Sequence, residues 1–273
     1  MKVKKLHLTF TAIIGWILTL VVLVPFAIVI INSFKSEAEA YAMNLTLPKE
    51  WIFKNYSDVF RDGHILRSFF NSLFLSCFTV MIGITVSAMA SFILQRHKSK
   101  FNRFFYYFFF AGLIAPMNFV TTLRILKIIG LSGTYSGIIL LYSAMAIPFA
   151  IFLFYGFVSS IPREIDEAAV IDGCGISRLF FNVVLPLLRP VTITAGVLTF
   201  MSSWNDFITP LYVLNQSSKW GMILAVYNFW GFYQQEWSKI CAVIVLTLLP
   251  ILALYIASQK YIIAGMTSGS VKG

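Results

Sequence analysis

Six apolar runs separated by short polar loops organise this chain: Leu8–Ile31, Phe69–Leu94, Phe104–Leu123, Tyr135–Val158, Pro190–Leu214 and Lys239–Ser258. Each is near the roughly 20 helical residues that cross the hydrocarbon core of a bilayer. The pattern therefore predicts an all-α integral membrane protein with six transmembrane helices. The third run is the least regular, because Pro116, Asn118, Thr121 and Thr122 interrupt it and Arg124 closes it. The first run follows a basic start and looks like a signal peptide. Its apolar stretch is about twice as long as a signal core, so it reads as an uncleaved span.

Composition agrees with the runs. Of 273 residues, 59% are hydrophobic and only 12% charged, whereas soluble domains carry about 25% charged residues. Mean hydropathy is +0.82. The net charge of +10 sits in small clusters between apolar runs, which argues for topology signals and lipid contacts and against nucleic acid. Lys2, Lys4 and Lys5 precede the first span; Arg96, Lys98, Lys100 and Arg103 lie between the second and third. Both clusters mark the cytoplasmic side. Alternating six spans from there places both termini and the loop at 161–189 in the cytoplasm, and Ser33–Arg67 outside. Cys77, Cys174 and Cys241 fall in separate segments, as do the three histidines, so neither a disulfide framework nor a metal site is expected.

One long polar stretch stands out, from Ile161 to Pro186, holding four of the eleven acids: Glu164, Asp166, Glu167 and Asp172. Pro162 suits a first helical turn with Ser160 as its cap, and the acids near the start suit the positive end of the helix dipole. Helical spacing puts Ile165, Ala168, Ala169 and Asp172 on one face and Glu164, Glu167 and Ile171 on another. Gly173 is placed to end the helix in a left-handed conformation. Ile176–Leu185 then reads as a second short helix stopped by Pro186. The product is a helix–turn–helix at a membrane face.

Glu167-Ala168-Ala169, then Gly173 after three residues, then Val183-x-Leu185-Pro186 after nine, resembles the EAA loop of permease subunits from bacterial ATP-binding-cassette (ABC) importers, with Val183 where isoleucine is usual. Trp204-Asn205-Asp206-Phe207 resembles an element of the fifth span in the carbohydrate group of these permeases. Ala264–Gly273 resembles the tail of the shorter permease of maltose-type importers. The resemblance implies a five-helix permease core at 68–258, preceded by an added helix and outer loop at 1–67 and followed by a cytoplasmic tail at 259–273. It implies a sugar or oligosaccharide as solute, with a second homologous permease, two cytoplasmic ATPases and an extracytoplasmic solute-binding protein as partners, in a bacterial cytoplasmic membrane. Glu164, Glu167, Ala168, Ala169, Asp172, Gly173, Leu185 and Pro186 are then the ATPase-coupling residues, and Thr267, Ser268, Gly269 and Ser270 the tail that contacts the ATPases.

No Gly-x-x-x-x-Gly-Lys occurs, so no phosphate loop is present and ATP is expected on partner subunits, with no cofactor here. Metalloprotease and serine-hydrolase motifs are missing as well. Within the spans, Asn118, Thr121, Thr122, Asn205 and Asp206 are the candidates for a translocation path. Two other readings stay open: Asp206 solvated at the outer interface, and Asn118, Thr121 and Thr122 hydrogen-bonding between helices. A non-sugar ABC importer and a secondary transporter are the rival functions.

Overall fold

A computed structural model describes residues 2–115, 117–231 and 235–268. In chain order the helices are α1 (Lys2–Asn32), α2 (Glu37–Ala40), α3 (Lys54–Asp62), α4 (Ile65–Arg96), α5 (Lys100–Gly112), α6 (Phe119–Ile128) and α7 (Tyr135–Ser160). There follow α8 (Arg163–Ile171), α9 (Ile176–Arg178), a π-helical segment Leu179–Val184, α10 (Leu185–Leu187), α11 (Arg189–Asn205), α12 (Ile208–Val213) and α13 (Trp237–Ser268). Two 3-10 segments, Ser217–Lys219 and Met222–Phe229, lie between α12 and α13. An isolated bridge between Trp230 and Gln235 is the extended pairing among the described residues.

The all-α class holds, and the span count changes. Four helices, α1, α4, α7 and α13, are long and apolar enough to cross a bilayer. A fifth crossing is available if Ile176–Leu187 and Arg189–Asn205, bent by 80°, count as one. The predicted third span is two helices, α5 and α6, broken between Gly112 and Phe119. Asn118 restarts the chain there: its side chain accepts the Thr121 amide at 3.0 Å as the cap of α6. The predicted fifth span divides likewise, into α11 and α12. The last helix runs through to Ser268, past the expected Ser258 end and into the segment read as a tail.

Two compact units emerge. The first comprises Met1–Arg67 and Met222–Pro250. Polar side chains hold the loop after α1 to itself. Asn55 donates to the Ser33 and Lys35 carbonyls, both at 2.9 Å. Lys35, only 1% exposed, donates to the Asn44 side chain at 2.8 Å and the Asn44 carbonyl at 3.2 Å. Phe34 packs among Trp51, Phe53 and Tyr56, and Glu37 hydrogen-bonds Ser238. By contrast, none of the apolar window of α1 is buried.

The second unit comprises Ser68–Gly221 and Ile251–Gly273. Its core joins Ile84, Ala88 and Phe92 of α4 to Ala150, Phe154 and Val158 of α7 and to Val191 and Ala195 of α11. A Cβ built on Gly83 of α4 would stand 3.6 Å from the Ser143 Cα of α7, and Ser91 donates across to the Ile151 carbonyl at 3.3 Å. Small residues at 83, 87, 88 and 91 permit that close approach.

Candidate coupling loop and substrate cavity

The α8 loop departs from its predicted form in three ways. Ser160 is the last residue of α7, its hydroxyl turned back to the Phe157 carbonyl at 2.7 Å, and Pro162 itself stands at the cap position of α8 with no side-chain cap. The predicted Ala168–Ala169–Asp172 face is split: Ala169 is buried, while Ala168 and Asp172 are exposed with Glu164 and Glu167. Pro186 does not stop the second helix. It lies in the last turn of the helical run Ile176–Leu187, past the predicted Leu185 end, and the bend follows at Leu188. Leu185 is half-buried against the core and Pro186 exposed.

Gly173 behaves as expected, with φ +78°. The Cys174 amide reaches back to the Ala169 carbonyl at 3.0 Å, closing the end of α8. Nothing lies within 4 Å of a Cβ built there, so glycine is required by backbone conformation and not by crowding. Ala169 anchors α8 on Phe92, Val158, Phe180 and Val184. Outward stand Glu164, Glu167 and Asp172 together with Val170, Ile171 and Ile176, the last two 84% and 79% exposed. Acids interleaved with exposed large aliphatics make this an amphipathic surface of the kind that mixes polar and apolar contact area.

Sequence reading passed over what fixes this loop to the bundle. Arg96, at the end of α4, places its Nε 2.6 Å from Asp166 Oδ2 on α8, with the two side chains 10% and 15% exposed. The contact is ionic, off the line of the N–H, since neither Arg96 Nε nor Asp166 Oδ1 makes an aligned hydrogen bond among the described residues. Both terminal nitrogens of Arg96 donate to the Ile161 carbonyl at 3.1 Å. Arg163 returns a bond to the Arg96 carbonyl at 3.2 Å. One guanidinium thus ties α4, the α7–α8 corner and α8 together.

A cavity of about 790 Å³ opens in the second unit between α4, α7 and the α11–α12 break. Asn205 and Asp206 both line it. Asp206 ends α11, and its Oδ1 accepts the Ile208 and Thr209 amides at 3.0 and 3.2 Å, starting α12. Tyr142 faces the same carboxylate. Thr79, 1% exposed, also stands in the wall, and its hydroxyl has no hydrogen-bond partner among the described residues. Of the 117–122 stretch, Met117 and Phe119 reach the cavity; Asn118, Thr121 and Thr122 are not in its wall. Trp204 is buried against Phe69 and Phe200, so it braces the end of α11. Thr267 and Ser268 lie in the last turn of α13, and Gly269 and Ser270 fall outside the described residues. Among the described residues no group of histidines, cysteines and carboxylates is placed to hold a metal.

A bundle of apolar helices with a hydroxyl-lined cavity and a projecting helix–turn–helix defines a membrane permease. The chain belongs to the family of binding-protein-dependent transport system inner membrane components, whose profile matches residues 80–268. It is 32% identical to the probable starch degradation products transport system permease protein AmyC of Thermoanaerobacterium thermosulfurigenes, over 99% of this chain and 98% of the relative. It is 33% identical to the diacetylchitobiose uptake system permease protein NgcG of Streptomyces coelicolor, over 93% and 85%. It is 30% identical to the melibiose/raffinose/stachyose import permease protein MelC of Bacillus subtilis, over 92% and 91%. Its fold matches a chain in the crystal structure of a bacterial ABC transporter that imports the acidic polysaccharide alginate, with TM-score 0.85 and 20% identity over 96% of this chain and 98% of that one.

Two outcomes are expected. Arg96→Met leaves a largely buried carboxylate oxygen without its cation, at roughly 1–3 kcal/mol; hydrogen exchange should quicken across 161–174 and not in the middle of α4. Adding Asp166→Leu should slow it again, and a double variant as loose as the single one rules out the ion pair as the cause. Asp206→Asn retains the Oδ1 acceptor and removes the charge, so unfolding in detergent should shift by less than about 0.5 kcal/mol while uptake falls. Asp206→Leu also loses the turn, at about 0.5–2 kcal/mol. Unchanged uptake in the asparagine variant would confine Asp206 to capping.

Proposed function

We propose that the chain is a permease subunit of an ABC importer that carries a sugar or oligosaccharide across the cytoplasmic membrane. The observation that carries this reading is the α8 loop: an acidic and aliphatic outer surface, closed by Gly173 at positive φ, on a base pinned by Ala169 and Arg96. Family membership supports an ATPase as the partner of that surface, and the relatives' sugars favour a carbohydrate over other solutes. The assembly is this chain, a second similar permease, two cytoplasmic ATPases and an extracytoplasmic binding protein. ATP is bound by the ATPases, whose closure moves α8 as a handle. Glu167 pairs with an ATPase arginine, Glu164, Ala168 and Asp172 complete the contact, and Leu185 and Pro186 carry the movement to the bend at Leu188.

In this reading both termini and α8 face the cytoplasm, and the loop at 33–67 faces outward. The permease core is 68–258, with 1–67 as an added helix and loop. The segment from 259, including Thr267, Ser268, Gly269 and Ser270, extends toward the ATPases. Asn205 and Asp206 with Tyr142 and Thr79 form this subunit's side of the path, and Asn118 shapes its edge by capping α6. The cavity wall offers hydroxyls, aromatic rings and one carboxylate, which suits a polyhydroxyl solute that exchanges hydrogen bonds with water.

Glu167→Lys should weaken retention of the ATPase on co-purification by on the order of tenfold, with the permease still inserted and folded. Wild-type retention and uptake in that variant would remove Glu167 from the contact. Cys174, half-buried at the end of α8, should react with an impermeant thiol reagent in inside-out vesicles and not in intact cells. Labelling from outside inverts the topology.

A further inference from the structure

The large cavity has a sign of charge. Among the described residues its wall holds one carboxylate, Asp206, and no lysine, arginine or histidine. The backbone donors that could receive an anion there are already engaged, since the Ile208 and Thr209 amides give their protons to Asp206 Oδ1 at 3.0 and 3.2 Å. Left free, amides at a helix start are where an anion settles. The Ser203 hydroxyl turns its proton back to its own helix, with the Phe200 and Thr199 carbonyls at 3.0 and 3.1 Å, and is left with acceptor lone pairs.

Much of the remaining wall is apolar, with Met117, Phe119, Met145 and Phe149 in it. Walls of low dielectric focus the field of a lone charge into a cleft instead of dispersing it. A neutral saccharide meets this wall with hydroxyl donors that the carboxylate accepts. An ammonium group on the saccharide adds direct attraction. A uronate or phosphate ester brings a like charge into about 790 Å³ whose wall supplies no cation to offset it. We propose that the cavity selects its solute by charge, admitting neutral and amino saccharides and rejecting acidic ones, with Asp206 as the residue that sets the sign. That the solute is a saccharide rests on the importer reading, whereas the sign of the field rests on the wall alone.

The test uses the full importer in detergent, purified with its partner subunits and carrying Ser202→Cys in the cavity wall. Ser202 is exposed and the change is nearly isosteric. Modification at 202 by a cationic and by an anionic methanethiosulfonate reagent is timed by mass spectrometry of that peptide, so native cysteines do not interfere. Each rate is divided by the rate of the same reagent with free mercaptoethanol, and the reactivity of the thiol itself cancels between the two reagents. The cationic reagent should be favoured by on the order of tenfold. Adding Asp206→Asn, which keeps the Oδ1 acceptor, should bring the ratio to within a factor of about two of unity. Equal rates with Asp206 in place, a preference that survives Asp206→Asn, or a thiol at 202 that neither reagent reaches overturns the proposal. In cells with the complete importer, neutral and amino oligosaccharides should be taken up, and uronate-bearing ones of equal length should not. Uptake of the uronate series at the neutral rate overturns it too. Uptake of no saccharide, with the reagent preference intact, removes the sugar reading and leaves selection by charge in force for another solute.

Discussion

The contact between Arg96 and Asp166 is the constraint on which the polar half of this molecule depends. A helix of nine residues cannot hold its own shape or position in water, and α8 buries little more than Ala169. Its orientation comes from outside, from a guanidinium with five donors in a rigid fork. That fork sets its Nε against a carboxylate on α8 and donates both terminal nitrogens to a carbonyl at the α7–α8 corner. Because the pair is largely shielded from solvent, salt screens it less than it screens the exposed Arg61–Asp62 pair of α3. A force applied to the outer surface of α8 therefore reaches the end of α4 directly, without first deforming a flexible linker.

The two broken spans share a physical logic. In each, a short polar side chain restarts the helix by accepting backbone amides: Asn118 for α6 and Asp206 for α12. Breaks at membrane depth are tolerated where protein or water satisfies the freed backbone groups. The break at Asp206 lies on the large cavity, which provides that setting. The carboxylate therefore has two tasks, since one oxygen is held by fixed amides and the charge itself remains beside Tyr142 in the cavity wall.

These features were not equally legible in the sequence. The α8 loop could be read closely because its signals are local: a proline, an acidic first turn and a glycine at the end, with fixed spacing. The long apolar runs likewise gave α1, α4, α7 and α13, since hydropathy over about twenty residues leaves little choice. Run three shows its interruption in Pro116, Asn118, Thr121 and Thr122, whereas the break in run five is hidden from averaged hydropathy, which ignores a single residue such as Asp206. By residue type Asn118 suits a path residue or an interhelical hydrogen-bond partner, whereas its spacing from Thr121 is that of a helix start. The π-helical Leu179–Val184 carries no marker in its apolar composition. Arg96 and Asp166 lie in different polar segments, and only the packing of α4 against α7 brings them together.

The first helix is held differently from all the others. Its lower end is tied, with Asn32 donating to the Asn44 carbonyl at 2.9 Å, while nothing in its apolar window is covered by the rest of the chain. Its angle in the membrane is accordingly governed by the thickness of the lipid around it, because a hydrophobic stretch that exceeds the local hydrocarbon depth tilts until the two match. In a thicker membrane it stands upright and in a thinner one it leans, pivoting about Asn32.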